Sequence, residues 1–139
     1  FNQGFMTTEL CAASILDMKW HELTSLEGID IDEFEAKVCA DMGLIKEIGP
    51  RYRTTYFNHI FGSGYNAGYY GYLWSEVLDK DAFDKFEKSG DVWNPALAKQ
   101  FKETFLERGG SEEPMTLFKS FMGREPENEA FLRGRGLID

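Results

Sequence analysis

The chain is 139 residues long, 42% hydrophobic and 15% aromatic, with 24 acidic against 15 basic residues and a formal net charge of -9. That length and apolar share predict one globular domain and exclude wholesale disorder. The acidic balance, with Lys and Arg scattered, excludes a nucleic-acid binder and disfavours an anionic membrane surface, and no apolar run reaches membrane-spanning length.

Thr7 and Thr8 are the predicted caps of a first helix through Leu10, Ala13, Leu16, Met18 and Trp20. Its apolar residues fall on more than one face, the pattern of a helix buried inside something larger. Residues 26 to 30 read as a turn, after which Ile31, Phe34, Val38 and Met42 recur at helical spacing, capped by Asp30 or Asp32 and ended at Gly43. Gly49-Pro50 breaks the pattern, and the β-branched and aromatic run from Arg51 to Phe61 predicts extended or irregular backbone. Gly62-Ser63-Gly64 predicts a flexible loop, followed by a helix from about Tyr65 to Leu78. A short amphipathic helix with Phe83 and Phe86 is expected from Asp79 to Ser89, closed by Gly90. Pro95 opens another through Leu97, Phe101 and Leu106, ended by Gly109-Gly110. Glu113-Pro114 starts the next, with Leu117, Phe118 and Phe121 apolar, and Pro126 begins the last, through Phe131 and Leu132. The fold class is all-α.

Three sequence patterns mimic known chemistry without supplying it. His21-Glu22-Leu23-Thr24-Ser25 has the spacing of the zinc-protease motif H-E-x-x-H, but Ser25 occupies the second ligand position, so His21 reads as a packing or capping residue beside Trp20. Cys11, His21, Cys39 and His59 lack the close pairing of a structural zinc site. The two cysteines need no disulfide framework and fit a reduced compartment. Gly62-Ser63-Gly64 with Gly68 lacks the preceding strand and following Lys of a phosphate loop; these glycines read better as points where backbone moves or approaches a ligand.

The most informative segment lies between Tyr52 and Tyr72, which contains all six tyrosines and His59. From Thr54 to Ser75 there is no Lys, Arg, Asp or Glu, although charged residues make up 28% of the chain. Neutral hydrogen-bonding groups in an apolar, glycine-rich setting suit a cleft that holds a polar ligand. Tyr65, Tyr69 and Tyr72 fall at i, i+4 and i+7, so one helix face would present three phenols. Such a stripe is either core packing or a ligand-facing surface, and the spacing alone leaves both open. A phenol donates a hydrogen bond without carrying charge, which suits a developing oxyanion in a dry site.

Several blocks carry a resemblance: Phe1-Asn2-Gln3-Gly4-Phe5 with Thr7-Thr8-Glu9, and Leu16-Asp17-Met18 with Trp20-His21. More specific are Tyr56-Phe57, His59-Ile60-Phe61-Gly62, Gly64-Tyr65, Ala67-Gly68-Tyr69-Tyr70 and Tyr72-Leu73-Trp74-Ser75-Glu76, followed by Phe121-Met122-Gly123-Arg124-Glu125-Pro126 and the tail from Leu132 to Leu137. Across essentially its whole length the chain resembles the carboxy-terminal part of the thimet oligopeptidase and peptidyl-dipeptidase family of zinc metallopeptidases.

The resemblance implies a helical segment, residues 1–139, of a larger, mostly helical, two-lobed enzyme that hydrolyses oligopeptides. In that family one zinc is held by H-E-x-x-H and a further Glu, ligands that lie upstream of the present region and are absent from this chain. The cofactor implied is therefore zinc in the intact enzyme, with no metal ligand here, and the chain alone is expected to be inactive. The roles implied are oxyanion donation by Tyr72 and contacts to the substrate backbone by His59 and Tyr65. Tyr69 would line the same face, and Gly62, Gly64 and Gly68 would form a mobile loop against which substrate closes. Ser63 interrupts what is often a run of glycines in the family, and the six-residue step from His59 to Tyr65 is more similar to the bacterial peptidyl-dipeptidase branch. The expected partners are oligopeptide substrates and the upstream zinc-binding part of the same protein, with neither nucleic acid nor membrane. The first residue is Phe1 and not Met, so a fragment is expected; the expected location is the cytoplasm, with the periplasm as the alternative. The competing reading is a peptide-binding or scaffold module without catalysis.

Overall fold

The computed structural model describes residues 1–139 and contains helices and turns without a strand, the all-α class that the periodicity predicts. Within those residues the chain divides into two compact units, Phe1–Leu73 and Trp74–Asp139.

In the first unit, α1 (Gln3–His21) presents Ala13, Leu16, Asp17 and Trp20 at i, i+3, i+4 and i+7, and all four are buried. The helix begins before the predicted caps. Asn2 occupies the N-cap position, and Thr8 lies inside, its hydroxyl donating to the Gly4 carbonyl at 2.8 Å. α2 (Ile31–Asp41) follows the sequence reading closely: the Asp30 carboxylate accepts the Glu33 N–H at 2.9 Å, and Gly43 follows the helix end with φ 71. Leu16, Trp20 and Val38 form the core between these two helices, flanked by Leu23, Ile29, Phe34 and Met42. Burying each such side chain stabilises by about 1.5–3 kcal/mol.

A second core cluster, Ala13, Phe57, Ile60 and Tyr69 with Leu10 and Tyr52 against it, gathers the segment beyond Pro50. That segment is helical rather than extended, contrary to its β-branched composition. It forms a 3-10 turn at Thr54–Tyr56 and the short α3 (Asn58–Gly62). Glu35 of α2, itself buried, supplies the reason: its Oε2 accepts both the Thr54 N–H (2.7 Å) and the Thr54 hydroxyl (2.8 Å). Trp20 Nε1 donates to Thr54 Oγ1 at 2.9 Å, and Arg53 pairs with Glu35 and Asp32. Tertiary capture of one main-chain donor thus outweighs the local preference.

α4 (Gly71–Lys88) is one continuous helix where the sequence predicts two, and it starts six residues later than expected: Tyr65 to Tyr70 form turns. In the second unit, Asn94 caps α5 (Pro95–Phe101), accepting from Ala96 and Leu97 N–H at 3.0 and 3.1 Å, and a π-helical stretch, Lys102–Leu106, continues it. α6 (Pro114–Met122) buries Leu117, Phe118 and Phe121 and ends at Gly123, φ 79. α7 (Glu129–Gly134) begins three residues after Pro126, where the prediction put its start, because the Glu127 N–H is bound instead by the buried Asp81 carboxylate at 2.9 Å. Asp81 also receives both guanidinium nitrogens of Arg124, at 2.6 and 2.8 Å, while Asp84 pairs with Lys88 (2.6 Å) and Arg133 (3.2 Å).

Candidate active site

α3 and the start of α4, joined by the turns at 63–70, bring His59, Tyr65 and Tyr72 together. The short helix turns the imidazole of His59 toward α4, so that its Nε2 lies 2.8 Å from the Tyr72 hydroxyl. Tyr65 stacks on Tyr72 with ring centroids 5.4 Å apart and planes within 3°, and stands edge-on to His59 at 4.9 Å. The hydrogen bond with Tyr65, and to a smaller degree desolvation, push the Tyr72 phenol above its ordinary pKa, so it remains an O–H donor through the neutral range.

The three predicted phenols do not share one helix face. Tyr65 and Tyr69 precede the helix, and their environments differ. Tyr69 is 4% exposed and packs edge-on against Phe57 and Tyr52, whereas Tyr65 and Tyr72 are 39% and 41% exposed. Tyr69 is therefore core, its phenol pKa pushed up by burial, and it meets the site only through its ring edge against His59, centroids 5.6 Å apart. Of the two alternatives, core packing is realised at Tyr69, while Tyr65 and Tyr72 keep exposed rings.

The glycines divide similarly. Gly64 has φ 81, a conformation that a side chain strains, and a Cβ at Gly62 would lie 2.5 Å from Asn58 Oδ1. At Gly68 a Cβ would approach the Tyr65 carbonyl to 3.4 Å.

A cleft of about 290 Å³ opens beside these groups, lined by Tyr52, Tyr56, Asn58, His59, Ser63 and Tyr65. A larger one, about 600 Å³, lies in the same unit against Trp20, Leu23, Leu26, Ile29, Ile31 and Phe61. Its walls are mostly aliphatic and aromatic, with His21, Thr54 and Thr55 as the polar exceptions. The smaller cleft is the better candidate for chemistry because uncharged donors and an imidazole converge on it. No group of three or more His, Cys, Asp and Glu side chains is arranged to hold a metal ion, and both cysteines are free thiols.

Asp17 is the residue the sequence reading left without a role. It is fully buried in α1; Oδ1 accepts the Ala67 N–H at 3.0 Å and Oδ2 the Tyr69 N–H at 2.9 Å, while His21 Nδ1 lies 2.8 Å from Oδ1. The available signal was an acid between Leu16 and Met18, on the same helix stripe as Ala13 and Trp20. Tyr56, Asn58 and Ser63 were also missed as lining residues, and only their place in the charge-free block pointed to them.

The chain is 42% identical over 140 residues to dipeptidyl carboxypeptidase of Escherichia coli, covering 99% of this chain and 20% of that protein. It is 42% identical to oligopeptidase A of Haemophilus influenzae (90% of this chain, 18% of the relative) and 35% identical to saccharolysin of Saccharomyces cerevisiae (98% and 19%). The chain thus spans about a fifth of the length of the curated relatives it matches. Residues 1–137 match Peptidase family M3, and the chain belongs to that family.

Proposed function

We propose that this chain is the carboxy-terminal part of a two-lobed metallopeptidase that hydrolyses oligopeptides, and that it supplies oxyanion stabilisation and substrate grip. The observation that carries the reading is the convergence of His59, Tyr65 and Tyr72 beside a cleft whose lining, His59 and Tyr65 included, has no Lys, Arg, Asp or Glu. Tyr72 offers a neutral O–H donor for the negative charge that develops on the scissile carbonyl oxygen, a bond that strengthens as substrate displaces water from the half-exposed phenol. Tyr65 and His59 hold the peptide backbone beside it. Gly62 at the end of α3, with Gly64 and Gly68 in the following turns, gives the substrate a side-chain-poor surface to lie against, and Tyr69 packs its ring edge against His59.

The similarity to dipeptidyl carboxypeptidase of Escherichia coli supports release of carboxy-terminal dipeptides, and that to the oligopeptidases supports short peptides in general. By the family resemblance, zinc is assigned to ligands outside this chain, and the isolated segment is proposed to be inactive. The cytoplasm is the proposed location.

The test is Tyr72→Phe in the intact enzyme, assayed on short peptides. It lowers kcat by about 10²–10³-fold with little change in KM, as loss of an oxyanion donor does. A rate near wild type would instead favour a peptide-holding role without catalysis by Tyr72.

A further inference from the structure

Tyr65 and Tyr72 are held in register by the turn between them, and that turn is not stable by its own chemistry. Ala67 has φ 53, the left-handed region that a Cβ disfavours. Apart from the entry into α4, the turn's main-chain bonds are few: Gly68 N–H to the Tyr65 carbonyl at 2.9 Å and Gly71 N–H to the Gly68 carbonyl at 3.0 Å. The two remaining donors at its centre, the Ala67 and Tyr69 N–H groups, point at one side chain fifty residues away. Asp17 takes one on each carboxylate oxygen, at 3.0 and 2.9 Å.

The carboxylate is itself held rigidly. It is fully buried on α1, between core residues Ala13 and Leu16 on one side and Trp20 on the other. His21, one helical turn on, places Nδ1 2.8 Å from both the Asp17 Oδ1 and its main-chain oxygen. The His21 ring lies against Phe61 of α3, centroids 5.7 Å apart, two residues from His59. An ionised oxygen accepts N–H bonds more strongly than a neutral one, and the fit of two oxygens to two donors fixes direction as well as distance.

Resting on the oxyanion role proposed for Tyr72, we infer that Asp17 is a positioning residue: its buried carboxylate locks the Ala67–Tyr69 turn and thereby sets Tyr65 and Tyr72 against His59. It touches none of the reacting atoms. Its effect reaches them through the backbone of the turn, and a misplacement of about 1 Å at an oriented donor costs about 10²-fold in rate.

The test is a double-mutant cycle in the full-length enzyme with D17N and Y72F. Asn keeps the size of Asp but sets an NH₂ against one main-chain donor. D17N lowers kcat by about 10–100-fold and, through Tyr65, raises KM as well, and in the Y72F background the same substitution costs about threefold or less in kcat. A purely structural Asp17 would lower kcat equally in both backgrounds, and that result, or an unaltered kcat, overturns the inference. Should D17N not accumulate as folded enzyme, an ester in place of the Ala67 main-chain amide removes one donor while leaving Asp17 and its packing intact. The ester enters the same cycle with the same expected non-additivity. If Y72F itself runs near the wild-type rate, the oxyanion reading and this inference fall together. A slow Y72F with equal D17N losses in both backgrounds overturns the inference alone.

Discussion

Buried carboxylates find different partners in the two units, and within the first unit as well, where Glu35 takes Arg53 together with the Thr54 N–H and hydroxyl. In the first, Asp17 is bound by two main-chain N–H groups and an imidazole, with no Lys or Arg in contact. In the second, Asp81 and Asp84 are bound chiefly by cations: Arg124 on one, Lys88 and Arg133 on the other. The contrast follows from what surrounds each acid. The candidate site lies in the charge-free stretch from Thr54 to Ser75, and a fixed cation there would compete with the phenols for negative charge. The second unit has no such constraint, and guanidinium groups are free to act as clamps.

The comparison breaks hardest at Arg124. R124A leaves Asp81 buried with only the Glu127 N–H, and local stability around α4 and α6 falls by about 3–5 kcal/mol, read as lost hydrogen-exchange protection at residues 78–86 and 117–121. Unchanged protection there would mean that solvent replaces the guanidinium without loss.

Acid sharpens it next. Burial pushes the Asp81 carboxyl up, yet its bonds to Arg124 and the Glu127 N–H outweigh this and hold it below the ordinary range; Lys88 and Arg133 do the same for Asp84 against burial. A carboxyl with a lowered folded pKa stabilises above its unfolded pKa of about 4, and that contribution is lost as pH falls through the folded value. Protection at 117–121 therefore declines below about pH 4 in the wild type, and D81N flattens the decline. The smallest effect belongs to an ordinary cap in the first unit. D30A removes the acceptor of the Glu33 N–H and costs α2 about 1 kcal/mol, measurable as faster exchange in its first turn.

How far the sequence reads through to the fold depends on where each boundary is decided. α2 and α6 were legible because their ends are set locally, by Asp30 and Gly43 in one and by Pro114 and Gly123 in the other. Three misplaced elements share a different cause. The segment after Arg53, the late start of α4 and the late start of α7 each have a main-chain N–H taken by a buried acid far away: Glu35 on Thr54, Asp17 on Ala67 and Tyr69, Asp81 on Glu127. Ala67 gives no local sign that it will turn left-handed, so a helical period running through Tyr65, Tyr69 and Tyr72 extends too far. The start of α1 was missed for a local reason, since Thr8 bonds back to Gly4 from within the helix instead of capping it.

The candidate site was more legible than the backbone that builds it. Composition picked out the segment that holds His59, Tyr65 and Tyr72, because excluding charge from twenty-two consecutive residues leaves a mark in the sequence, and the family resemblance singled out those three within it. It could not separate Tyr69 from its neighbours, because burial at that position comes from Phe57 and Tyr52 across the fold.

The parallel pair of phenols also makes the site visible to light. Two identical chromophores 5.4 Å apart and within 3° of parallel couple their transition dipoles, and their asymmetric surroundings give the coupled pair optical activity. The near-ultraviolet circular dichroism of the protein therefore carries a component that belongs to Tyr65 and Tyr72 together and that disappears when either ring moves away. Any event that shifts one ring against the other would register as a change in that band without an added label.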